Sequence, residues 1–210
     1  MFKKFRDPVS GLTHLFGAIM SIVGLIVLVN SSIFQNSPLH ITVFAIFGAS
    51  LILLYSASSI YHLVTTSEKS IRILRRIDHS MIYVLIAGSY TPICLLALKG
   101  TFGLTMLAII GILVKNFWFS APRWISTGFY LIMGWLIVIA IFPLSKTLSS
   151  GGLFWLISGG IAYSIGAVIY GTKRPKIASK YLNFHDIFHI FVLMGSLCHF
   201  ILMSNYIMYM

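Results

Sequence analysis

Acidic residues are almost missing from this chain. Asp7, Glu68, Asp78 and Asp186 are the only four in 210 residues, and charged residues of both signs make up 9%. Soluble domains carry about 25%, so a water-exposed surface cannot be built from this composition. Cysteine is equally scarce. Cys94 and Cys198 both sit inside apolar runs, which excludes a disulfide framework and a C-x-x-C metal site and leaves them as small core residues. Also missing is any apolar-poor stretch long enough for a soluble domain. The net charge of +11 would suit nucleic acid in a soluble protein. Here the basic residues lie in short loops between apolar runs, which excludes a nucleic-acid partner and points to lipid headgroups and membrane orientation.

What the chain has in abundance is hydrophobic length: 58% of its residues are hydrophobic. A bilayer-spanning helix needs roughly 20 mostly apolar residues. Seven segments qualify: 12–33, 41–63, 79–98, 101–119, 122–142, 151–170 and 184–206. The expected fold is therefore all-α, a single seven-helix membrane domain with sequential helices as neighbours. The basic N-terminus followed by an apolar run resembles a secretory signal. The run is too long and no small-residue cleavage site follows, so it reads as a retained first helix. Glycines recur within the spans (48, 88, 111, 134, 159, 160 and 166), as close helix packing in lipid requires. Thirteen of the fifteen Lys and Arg residues fall on one side of this alternation, with only Lys99 and Lys146 on the other. The positive-inside rule then predicts a cytoplasmic N-terminus and an external C-terminus in the cell membrane. Lys115, a few residues inside the fourth span, is expected to snorkel.

Polar chemistry is concentrated at 183–200, NFHDIFHIFVLMGSLCHF. His185 and His189 are four apart and stack on one helix face, a device that lets two imidazoles share a metal ion. The same spacing also serves two core histidines bonded to neighbouring helices. The predicted topology favours the metal, because His62 ends span two, Asp78 and His79 open span three, and His185 and His189 open span seven, all at one membrane level. Ionisable residues within a membrane mark function by default. Zinc held by His62, His185 and His189, with an open fourth position, is the arrangement of a catalytic site. Asp78 has two readings, a fourth ligand or a base acting through bound water. Ser58, one turn before His62, could polarise a carbonyl or bond back to its own helix.

The remaining polar groups are assigned simpler roles. His199 lies fourteen residues beyond His185, roughly 21 Å along the axis, and is expected to bond between helices. His40 is expected to be solvated, and His79 points about 100° away from Asp78. His14, with Asp7 and Ser10, could reach the site or cap the first helix. Asp186 is expected to pair with a basic loop residue.

Four motifs taken together resemble the hemolysin III family, bacterial members of the progestin and adipoQ receptor superfamily. They are DPVSGLTH at 7–14, SSIYH at 58–62, RRIDHS followed by AGSYTP at 75–92, and HDIFH followed by CHF at 185–200. The resemblance implies a zinc ion held at His62, His185 and His189 with Asp78 and Ser58 beside it, in a bundle with the N-terminus inside and the C-terminus outside. Because alkaline ceramidases are grouped with this superfamily, it also implies zinc-dependent hydrolysis of a lipid amide or ester, with membrane lipids as partners, in membrane-lipid homeostasis. The long N-terminal domain of animal receptors has no counterpart in the roughly ten residues before span one, so a protein-hormone receptor is not expected. A non-enzymatic membrane sensor with a structural zinc, or cytolytic activity, is the alternative. Cytolysis fits an apolar chain with no export signal poorly. Transport fits a chain with His199 as its only well-placed mid-membrane ionisable group no better.

Overall fold

A computed structural model describes residues 5–99, 123–175 and 182–210. Every regular element among them is helical. α1 runs Pro8–Phe34, α2 Pro38–Leu63 and α3 Glu68–Pro92, which continues as wider turns over Ile93–Ala97. α4 (Arg123–Trp135), a tighter stretch (Leu136–Ala140) and α5 (Ile141–Thr147) follow one another as one rod. α6 spans Ser150–Thr172 and α7 Phe184–Asn205. Six of these rods are long and apolar enough to cross a membrane. The expected span at 101–119 lies outside the described residues, as do Lys115 and residues 176–181.

The helix starts follow local chemistry. Ser37 and Ser149 accept hydrogen bonds from the backbone three residues on, Pro38 takes the first position of α2, and Asn183 and Asp186 form a reciprocal capping box at α7. α3 begins eleven residues before the expected start at 79. Its basic stretch, expected to be loop, is instead helical, capped by Ser67 and opened by Glu68 where the helix dipole favours an acid. Pro92 lacks an N–H, and the ladder widens just after it.

α1 packs on α2, α2 on α3, α6 on α7, and α7 returns to α1, so first and last helices touch. Gly48 is a point of close approach, where a Cβ would lie 2.6 Å from a methyl of Leu25. Gly134 is not such a point, since nothing described lies within 4 Å of its would-be Cβ. The core is formed by large side chains such as Phe44, Phe47, Tyr55 and Leu202, all essentially inaccessible. Phe16, Ile26, Ile139, Phe154 and Leu197 instead point outward, each more than half exposed. Lipid tails accept such a surface, whereas water would drive it to aggregate.

Candidate metal centre

The last turn of α2 and the first two turns of α7 meet at one end of the bundle. They bring His62, His185 and His189 together with one ring nitrogen of each within 4.8 Å of the others. His62 Nε2 and His185 Nε2 are 3.2 Å apart. Zinc–nitrogen bonds of about 2.0–2.1 Å at tetrahedral angles put ligand nitrogens about 3.4 Å from each other, so the imidazoles stand near that spacing. His62 and His189 are buried to 3% and 1% exposure, and His185 is half-buried.

The tautomers suit a cation. His62 Nδ1–H donates to the Asp7 carboxylate at 3.2 Å, and His189 Nδ1–H donates to the Ser10 carbonyl at 3.1 Å. Neither acceptor can donate in return, so each Nδ1 carries the proton and each neutral ring is left with its Nε2 lone pair. This is how metal-ligating histidines are oriented from behind. Ser10 Oγ in turn donates to Asp186 Oδ1 at 2.6 Å. The backbone helps as well, since Asp7 N–H donates to the His62 carbonyl at 2.9 Å and ties the start of α1 to the end of α2.

From the sequence, Asp7 and Ser10 are expected with His14 to reach the site or cap the first helix, without a named partner, and Asp186 is expected to pair with a basic loop residue. Asp7 occupies the N-cap position of α1 but makes no capping bond; its carboxylate serves His62 and Arg6 instead. Hydrogen bonding to His62 chiefly holds its pKa below the carboxylate value of 3.8. Partial burial opposes this and Arg6 assists it. Asp186 is 2% exposed and, among the described residues, pairs with no basic group; it caps α7 and accepts from Ser10.

Asp78 stands outside the triad of nitrogens. It is 14% exposed, and its carboxylate lies 3.2 Å from His79 Nδ1. His79 Nε2 lies 3.0 Å from the Tyr170 hydroxyl, linking α3 to α6. Ser58 does not bond back to its own helix, unlike Ser21 or Thr91. Its hydroxyl is buried beside Asp78, and both line a cavity of about 180 Å³ shared with His14, His185 and His189. His14 does not cap α1. It is 3% exposed and stacks on His189 with ring centroids 3.6 Å apart, and among the described residues neither of its nitrogens has a hydrogen-bond partner. His40 bonds the α2 cap, Nδ1 to Ser37 Oγ at 2.8 Å.

Residues 2–200 match the family model described as Haemolysin-III related. The chain belongs to the hemolysin III family. Within the progestin and adipoQ receptor superfamily, this hemolysin III chain is 41% identical over 206 residues to the hemolysin-3 homolog of Bacillus subtilis, an alignment covering 95% of this chain and 93% of that one. It is 38% identical over 209 residues to hemolysin-3 of Bacillus cereus, covering 97% and 92%. A more distant similarity, 28% over 221 residues, links it to the adiponectin receptor protein of Drosophila melanogaster, covering 94% of this chain and half of the receptor. With six candidate spans and these relatives, it is a multi-pass protein of the bacterial plasma membrane.

Proposed function

We propose that this hemolysin III protein binds zinc at His62, His185 and His189 and hydrolyses an amide or ester of a membrane lipid. The observation that carries the reading is the pairing of three convergent imidazoles with an apolar cavity that also holds a carboxylate and a hydroxyl. A bound zinc supplies a water of lowered pKa and polarises a carbonyl. Around it the protein's own groups have separate tasks. Asp78, half-buried and 3.2 Å from His79 Nδ1, accepts a proton from the attacking water and returns it to the leaving nitrogen or oxygen as the C–N or C–O bond breaks. The Ser58 hydroxyl, uncommitted to its own helix, donates to the carbonyl oxygen as charge develops there. The cavity walls hold the acyl chain and exclude bulk water. Seven spans, with the triad at the cytoplasmic end, complete the proposal; the basic residues Arg6 and Lys173 share that end of the bundle with His62.

A second reading is a sensor in which the metal only staples α2 to α7. The depth of burial of His62 and His189 favours it. One series of measurements separates the two. Elemental analysis of detergent-purified protein should give about one zinc per chain, lost in His185→Ala plus His189→Ala. A zinc-loaded wild type that cleaves a lipid amide or ester, with Asp78→Ala folded, zinc-bound and inactive, supports the hydrolase. Zinc-loaded protein inert across a broad lipid panel leaves the staple. Absence of zinc from well-folded wild type sinks both.

A further inference from the structure

The cavity continues well past the triad. Along α7 its lining runs from His185 to His199, roughly 21 Å of helix. At its far end His199 is 8% exposed, and its ring lies against Gly159 of α6, where a side chain would collide with Nδ1 and Cε1. Among the described residues His199 makes no hydrogen bond between helices. Its Nδ1–H donates to the Gly195 carbonyl of its own helix at 2.9 Å. A carbonyl only accepts, so Nδ1 holds the proton and the neutral ring presents Nε2 as a bare acceptor. Among the described residues no hydrogen bond reaches that nitrogen. The polar groups nearby are already committed: Ser196 Oγ takes the Tyr55 hydroxyl at 2.6 Å and meets that of Tyr163 at 2.9 Å. The Tyr163 ring centroid is 5.4 Å from that of His199. An acceptor that faces a largely apolar cavity favours a ligand that brings it a donor over one that does not.

We propose that His199 forms a second subsite of the cavity, taking a hydroxyl group carried far along an acyl chain. The proposal rests on the reading that an acyl chain occupies the cavity with its head at the triad. His199 follows His189 by ten residues, about 15 Å along the helix. That is about half the hydrocarbon thickness of a bilayer, so the distal part of a chain anchored at the triad lies beside His199. A methylene there leaves Nε2 without a donor and displaces any water that served it. A chain hydroxyl satisfies it.

The test measures binding rather than turnover. Displacement of a fluorescent fatty acid from purified protein in nanodiscs would compare three acids: stearic acid, stearic acid hydroxylated two-thirds of the way along its chain, and stearic acid hydroxylated next to the carboxyl. The distally hydroxylated acid should bind about tenfold more tightly than the plain one, and the proximally hydroxylated acid should gain nothing. His199→Phe should erase the preference, because plain stearic acid no longer strands an acceptor and the distal hydroxyl no longer meets one. His199→Gln, which retains an acceptor, should keep part of the preference and guards against a folding defect in the first variant. Equal affinities in wild type, an equal gain from the proximal hydroxyl, or a preference that survives His199→Phe overturns the subsite alone. Failure of every acid to compete overturns the acyl cavity with it. Intact preference in protein that hydrolyses nothing leaves the subsite standing and removes the hydrolase.

Discussion

Asp7 works across the bundle rather than up its own helix. It holds His62 by Nδ1, and its pKa is lowered mainly by that bond. A depressed carboxylate stabilises the folded site above its ordinary pKa of 3.8, and this contribution is lost only as pH falls through the lowered value. Asp7 is therefore ionised throughout the neutral range. Asp7→Asn should weaken zinc retention at neutral pH by about 10–100-fold, read by chelator competition at about pH 7, where the Asp7 carboxylate is ionised. Ser10→Ala leaves Asp186 short of its buried donor. It should cost about 1–3 kcal/mol in unfolding of detergent-solubilised protein. His62, His185 and His189 were legible in the sequence because helical spacing and charge-derived depth both converge on them. Their supports were not. Ser10 and Asp186 are 176 positions apart, and only the contact of first and last helices brings them together. The freedom of the Ser58 hydroxyl was equally hidden, since a local helix carbonyl satisfies most such serines.

At the scale of elements, apolar runs locate five of the described rods to within a few residues, because in lipid a helix must bury its own backbone polarity. The start of α3 escaped, since its first turns carry charge and lie beyond the apolar run. There the Ser67 cap decides. Ser67→Ala should fray those turns at a cost of about 1 kcal/mol, seen as faster amide exchange over residues 68–76. Glycine positions were only partly legible. Gly48 meets Leu25 closely while Gly134 faces no described side chain, a difference that depends on which face meets a neighbour. Gly48→Ala forces α1 and α2 apart and should destabilise by about 1–3 kcal/mol. Gly134→Ala should be close to neutral in the same thermal assay.

For the whole molecule, the asymmetry of Lys and Arg predicts an internal N-terminus and an external C-terminus. Reporter fusions check it: a C-terminal alkaline phosphatase should be active and the same fusion after residue 66 inactive. The meeting of α1 with α7 bears on how the protein is made. Residues 7–10 leave the ribosome long before residues 183–189, yet the two segments grip each other beside His62. The Asp7–His62 clasp joins residues made early, whereas two of the three imidazoles are made late. If the three imidazoles hold zinc as proposed, a chain stalled before α7 would lack two of them, and metal uptake would then double as a report that α7 has been made and inserted.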